Sequence, residues 1–329
     1  RAVIKNFIDP ANPFVISNAA YKLNSGFGKY EEDFTTLNNR TPAYIELNPS
    51  SILVQGKVND LWLAYTTTSP FNLMKIRIKG LPIGGRFEYR YYNGVVFSTI
   101  VMEEDGEYKL PASQQHNNGI GFRINDRNLN WTGFIVEQIP SFQGALITDG
   151  VNDLITSTKS VQEMLGGSNE ITVVSMIHQI EANVNNLTNT NNIRVGSSFI
   201  RNSVVNVGKT GIYGYTFKNT VSLINNILGD KNDYTAQGDL TGTSNKFSVE
   251  GMIEGSTISQ TSQVAWYWTF IAKRALTTDQ INQVIAYYNL DKYVKPDIYY
   301  DVKKQGLTND TPDADWYLKD FSGNGHDMQ

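Results

Sequence analysis

Four carboxylates crowd the run Glu103-Glu104-Asp105-Gly106-Glu107. The alternate three, Glu103, Asp105 and Glu107, would share one face if the run were a strand. Two carboxylates flanking a glycosidic bond can serve as nucleophile and general acid. The same run holds Asp105-Gly106, a turn pair, so its simpler reading is a solvated charged loop. Histidine chemistry has little to draw on: only His116, His178 and His326 are present. None stands in a pattern that a Ser-His-Asp triad or a zinc site requires. His178 falls in an apolar, β-branched run where a hydrogen-bonded sheet histidine is expected, and His116 sits among Gln114, Gln115, Asn117 and Asn118, a loop composition. Gly84-Gly85 and Gly166-Gly167 do not introduce a strand-to-helix phosphate loop, so no nucleotide cofactor is expected.

Hard cations are better served than soft ones. Asp149, Asn152 and Asp153 form one oxygen-rich cluster and Asp230, Asn232 and Asp233 a second, either of which could ligate calcium. Both are also ordinary turn formers. A sugar presents an apolar CH face rimmed by hydroxyls and needs an exposed ring beside amides and carboxylates. Tyr213 and Tyr215, with the six-Asn stretch Asn183 to Asn192, are the candidates for such a platform. Trp266, Trp268 and Phe270 alternate along one expected strand and read as core. No catalytic, cofactor-binding or metal residue is assigned, and the chain reads as a binder, not an enzyme.

The elements that must carry these groups are strands. A chain of 329 residues exceeds one ordinary core, so two domains are expected. Basic residues number 28 against 32 acidic, a formal charge of −4, too mild for phosphate-backbone binding. Charged residues make up only 18%, a surface of neutral hydrogen-bonding groups common on secreted and virion β-proteins. Cysteine is absent, which removes disulfides and thiolate metal sites. No run approaches the length of a membrane span, and Arg1 reads as an internal residue of a longer polypeptide.

Residues 1–50 are punctuated by Asp9-Pro10, Asn12-Pro13, Thr41-Pro42 and Asn48-Pro49 and read as an extended or partly paired lead-in. A small β-sandwich is expected over 51–140, with strands near 61–65, 74–78, 87–91, 95–102, 119–124 and 134–139. Asn93-Gly94 and Asp105-Gly106 supply hairpin turn chemistry there. A second all-β block spans 141–296, a jelly roll with strands near 145–148, 171–180, 192–200, 204–207, 211–217, 222–228, 247–253 and 264–272. The Asn-rich stretch is expected to be a loop. One helix is legible: Thr277 caps it, Gln280 completes a capping box, and Ile281, Val284, Ile285 and Tyr288 form its apolar stripe. Residues 297–329 read as a linker and the start of a further module, from Trp316 to Asp327, with a weaker echo at Tyr21 to Tyr30.

Three segments carry a family resemblance. Gly144-Ala145-Leu146-Ile147-Thr148-Asp149-Gly150-Val151-Asn152-Asp153-Leu154-Ile155 is similar to the opening strand and turn of the laminin-G/concanavalin A-like family, with Leu154 in place of the usual aromatic. Phe270 to Ile281 resembles its closing strand and short capped helix, and Ser322 to Asp327 the start of another such domain. The junction from Glu137 to Asp153 looks like that in proteins of gut Bacteroidetes and their phages. The resemblance implies a concanavalin A-like jelly roll in a virion head or tail fibre, an appendage or a capsid decoration. Its partners would be other virion or surface proteins, copies of itself and a cell-surface glycan, with neither nucleic acid nor membrane insertion. A bacterial surface lectin or carbohydrate-binding accessory module is the alternative. Lectin-like sandwiches often hold calcium, and the same fold hosts glycoside hydrolases with an ExDxE strand, which keeps a polysaccharide-degrading enzyme as a second alternative.

Overall fold

The computed structural model describes residues 2–4, 6, 8–11, 13–17, 26–182, 188–195, 198–204, 207–218, 220–225, 233–234, 239–254, 257–259 and 261–290. The fold is all-β, and every named strand pairing is antiparallel. In chain order the strands begin with β1 (Ala2–Ile4), β2 (Phe14–Ser17), β3 (Gly26–Lys29), β4 (Ile45–Asn48), β5 (Ser51–Val54), β6 (Trp62–Thr66), β7 (Met74–Lys79) and β8 (Phe87–Tyr92). They continue with β9 (Phe97–Met102), β10 (Gly106–Leu110), β11 (Ile120–Ile124), β12 (Ile135–Ile139), β13 (Ser141–Ile147), β14 (Leu154–Ser160), β15 (Glu170–Glu181) and β16 (Thr188–Val195). The last are β17 (Ser198–Val204), β18 (Thr210–Lys218), β19 (Thr220–Asn225), β20 (Asp233–Tyr234), β21 (Lys246–Glu250), β22 (Met252–Glu254), β23 (Thr257–Ser259) and β24 (Gln263–Ala272). Two α-helices, α1 (Val161–Leu165) and α2 (Thr278–Tyr287), and two short 3-10 turns, Phe34–Thr36 and Leu240–Gly242, complete the described elements.

A five-stranded sheet, β10-β7-β12-β5-β4, and a four-stranded sheet, β6-β11-β8-β9, make the first sandwich. β7 shows why: Met74, Ile76 and Ile78 are buried while Lys75 and Lys79 face water, the period of two that a half-buried strand requires. Both sheets feed one core, in which Ile52, Val54, Ile76, Ile78 and Val136 meet Leu63, Phe87, Tyr89 and Phe122. Its centre is aromatic. Phe122 stacks on Phe87 at 5.6 Å, meets Phe34 and Phe71 edge-on at 5.6 and 6.0 Å, and leans on Tyr89 at 5.5 Å. The Asn93-Gly94 turn joins β8 to β9 as a hairpin, with Gly94 at φ +99°. Asp105-Gly106 does not make the expected hairpin, because β9 belongs to one sheet and β10 to the other. The turn is a crossover, tied down by the Asp105 carboxylate, which accepts the Gly80 and Leu81 amides at 2.8 and 2.9 Å.

The second sandwich pairs β1-β2-β14-β21-β16-β17 with β20-β19-β18-β15-β24-β13-β3. Its core draws Ile155, Ile193, Phe247 and Val249 from one sheet and Val173, Ile177, Tyr213, Tyr215, Phe217 and Trp266 from the other. β15 and β18 approach so closely that a Cβ on Gly214 would run into the Val173 carbonyl and stand 2.8 Å from Val174 Cα, so only glycine fits there. In β24 a register shift opposite Met176 and Ile177 divides the three aromatics expected to share a face. Trp266 pairs with Ile177 and joins the core. Trp268 and Phe270 pair with Met176 and Val174 and stack on each other at 6.2 Å.

Several expectations are corrected here. Residues 188–192, expected as loop, belong to β16, and the expected strand 192–200 is two strands, β16 and β17. Residues 1–50, expected as an extended or partly paired lead-in, supply three strands to the second sandwich: β2 pairs with β14, β1 with β2, and β3 with β13. The first sandwich is therefore inserted between β3 and β13. Its two ends are clamped by Gln138, whose Oε1 accepts the Glu31 and Glu32 amides at 3.1 Å and whose Nε2 donates to the Glu32 carbonyl at 2.6 Å.

α1 was not foreseen; Ser160 caps it, with Glu163 completing a capping box and Gly166 closing it in the left-handed region. By Cα proximity the chain divides after Ala275. In the second unit α2 starts as expected, with the Thr277 and Gln280 capping box, and Ile281 and Ile285 are buried. Pro296 and residues 297–329 lie outside the described residues. No described helix is long and apolar enough to cross a membrane.

Candidate functional site

The sequence candidates do not converge. Glu103 pairs with Arg86 at 3.0 Å and Glu107 with Arg77, while Asp105 is consumed by backbone amides. His178 is half-buried on β15, its Nδ1 2.8 Å from Thr210 Oγ1 and its ring 4.4 Å from Phe142. Burial lowers its pKa below the ordinary histidine value. Tyr213 and Tyr215 are core residues, 1% and 0% exposed, and offer no surface platform. Asp149 Oδ1 accepts the amides of Val151, Asn152 and Asp153 at 2.8 to 3.2 Å, and Asp153 Oδ2 accepts that of Asp149 at 2.9 Å, the hydrogen bonding of a turn. Asp230, Asn232, His326 and residues 183–187 lie outside the described residues, and of Asp233 only the β20 backbone is described. Among the described residues no three His, Asp or Glu side chains gather as a metal site.

A different surface does gather. On the four-stranded sheet β6-β11-β8-β9, Phe87, Tyr89 and Phe122 point into the core, so their strand neighbours Glu88, Arg90 and Arg123 point out. Register then fixes who meets whom. Arg123 pairs with Glu88 on β8 and with Trp62 on β6, Gly121 pairs with Arg90 and Tyr65, and Tyr92 with Phe97. The outer face is thus a lattice of rings and guanidiniums. Trp62 and Tyr65 lie 5.2 Å apart, and the guanidinium carbon of Arg123 is 5.3 Å and that of Arg90 6.0 Å from the Trp62 ring. Arg90 also stands 3.9 Å over Phe97, which touches Tyr92 at 5.2 Å and His116 at 4.5 Å. At the far edge Arg40 covers Tyr65 at 5.0 Å and pairs with Asp60 at 3.6 Å.

No family model, curated protein or solved structure matches this chain. The physical account of the face therefore rests on its own geometry. Gly121, at φ +129°, places no side chain between Tyr65 and Arg90. A Cβ there would lie 2.6 Å from the Ala64 carbonyl oxygen, so the central strand must stay bare at this point.

The charges are unevenly matched. Arg123 reaches Glu88 at 3.7 Å, but its Nε is buried without a hydrogen-bond partner. Arg90 makes its contacts with rings alone among the described residues. Burial first, and the like charge of Arg123 second, pull its pKa below the ordinary arginine value. Sequence reasoning missed this face because its members come from four strands. The one local signal is that outward strand positions carry Trp62, Tyr65, Arg90, Tyr92 and Arg123 where Lys or Thr would satisfy solvent.

The second sandwich holds a buried polar cluster. Glu250, at the end of β21, is 0% exposed. The Ser262 hydroxyl and the amides of Gly251 and Ser262 face its carboxylate. Around it Asn192 Nδ2 and Ser248 Oγ donate to the Gly251 carbonyl at 2.6 and 3.1 Å, and Thr148 Oγ1 donates to the Ser262 carbonyl at 2.9 Å. Burial drives the Glu250 pKa well above the carboxylate range, and the facing hydroxyl and amides offset only part of that. This cluster fixes the ends of strands.

Proposed function

We propose that this chain is a non-catalytic binding component of a virion appendage, and that the outer face of β6-β11-β8-β9 is where it touches glycan. The observation that carries the reading is the placing of Trp62 and Tyr65, 5.2 Å apart, beside hydrogen-bonding side chains on one sheet face. Aromatic rings take the apolar CH face of a sugar, and guanidinium and carboxylate groups take its hydroxyls. Binding without turnover is supported by the separate engagement of the carboxylates and histidines that could have done chemistry: Glu103 and Glu107 hold arginines, Asp105 holds a turn, and His178 holds Thr210.

A glycan array probed with the chain and with Trp62→Ala tests the face. The chain is expected to bind at least one sugar class, and the variant to bind it about 5-fold or more weakly, since stacking on one aromatic contributes on the order of 1 kcal/mol. An array on which both proteins are silent overturns the glycan reading.

The virion setting is supported by the resemblance of residues 144–155 and 270–281 to laminin-G/concanavalin A-like modules of phage and surface proteins, and by two antiparallel sandwiches on one chain with only 18% charged residues. Antibodies to the chain are expected to label intact phage particles in electron micrographs. Labelling of the bacterial envelope, with bare particles, favours the surface-lectin alternative and sinks the virion one.

A further inference from the structure

We infer that the outer face of β6-β11-β8-β9 selects glycans bearing a carboxylate directly on the sugar ring, with Arg90 and Arg123 as the receiving pair. This rests on the glycan reading of the same face. Arg90 and Arg123 both stand by the Trp62 ring, at 6.0 and 5.3 Å, and Glu88 is the single acid that pairs with either among the described residues. Two guanidiniums against one carboxylate leave one positive charge without a counter-ion on a sheet face that partly excludes water. Rings stabilise a cation, but less than an anion does.

The missing partner is therefore anionic, and the surroundings say what must carry it. Trp62, Tyr65 and Phe97 flank the guanidiniums, and Gly121 leaves the strand between Arg90 and Tyr65 without a side chain. A carboxylate bonded straight to a pyranose ring stays within one ring width of those aromatic surfaces. It also presents two coplanar oxygens to the planar guanidinium fork. A sulfate ester stands further off on its bridging oxygen, and an acidic peptide lacks the rigid apolar face.

The decisive experiment measures binding of the full chain to matched oligosaccharide pairs on an array, each uronic- or sialic-acid member beside the same sugar with its carboxyl reduced to the alcohol. Titration calorimetry then follows the best pair. The carboxylated member is expected to bind at least about 10-fold more tightly than its reduced partner, with affinity falling as salt rises. Arg90→Gln is expected to abolish that preference, so that both members of a pair bind alike, and Arg90→Lys to restore only part of it, since an ammonium keeps the charge without the fork. The Arg90 side chain makes no hydrogen bond among the described residues, so its variants test recognition without unpicking the sheet; Arg123→Gln serves as a second variant. Equal binding of both members overturns the inference and leaves the glycan reading standing. Tighter binding of sulfated sugars, or of an acidic peptide, also overturns it. Silence toward every sugar removes both.

Discussion

Replacing Phe122 with alanine is expected to cost the first sandwich about 3–5 kcal/mol, the range for emptying an aromatic site in a packed core. Phe122 is fully buried on the central strand β11 and touches four other rings, Phe34, Phe71, Phe87 and Tyr89. Phe87 and Tyr89 belong to β8 of the same sheet, Phe71 lies in the segment before β7, and Phe34 in the turn before β4. They cannot close the vacated space without shifting three separate segments at once, so the upper part of the range applies. Native-state hydrogen exchange reads the result locally. The amides of β6, β8 and β11 should lose protection in Phe122→Ala while those of β15 and β18, in the other sandwich, keep theirs. A loss below about 1 kcal/mol, the size expected of a mutation outside a packed core, would mean that Phe122 is not the keystone its contacts describe.

The Glu250→Gln variant should be more stable than the native protein at neutral and alkaline pH. Burial raises the Glu250 pKa in the folded state above its unfolded value, so the folded protein keeps a proton that the unfolded chain has already lost. Stability contributed by that proton is complete below the ordinary carboxylate range. It falls as pH rises, at up to about 1.4 kcal/mol per pH unit, until the folded pKa is passed. Glutamine has the shape of the protonated acid and no charge to lose. Urea midpoints measured from pH 4 to pH 9 should therefore start close together for the two proteins and diverge upward in favour of Glu250→Gln. Parallel midpoints across that range would show that Glu250 ionises in the fold without penalty.

What the sequence disclosed follows from the range of its signals. β7 could be read because Met74, Ile76 and Ile78 alternate with charged residues, and the turn at Asn93-Gly94 because its chemistry is contained in two residues. The start of α2 was equally plain, since Thr277 and Gln280 satisfy each other three residues apart. The same signal at Ser160 and Glu163 marks α1, but a helix of five residues has no room for a periodic apolar stripe to corroborate it. Asp105-Gly106 announced a turn without announcing which sheet came next. Tyr213 and Tyr215 are the instructive case: both lie on β18 and share with Phe217 the face that meets the opposite sheet, so both go inside.

The candidate face lay beyond local reading altogether. Trp62, Arg90, Phe97 and Arg123 occupy four strands, and only register makes neighbours of them. Their chemistry was visible residue by residue; their association was not.

The routing of the chain between β3 and β13 has an evolutionary corollary. A unit whose entry and exit stand side by side, held by one glutamine, can be exchanged for another of similar end spacing without disturbing its host. The surface assigned to recognition lies wholly within that exchangeable cassette. Exchanging that single segment would change the recognition surface and leave the host sandwich as it is.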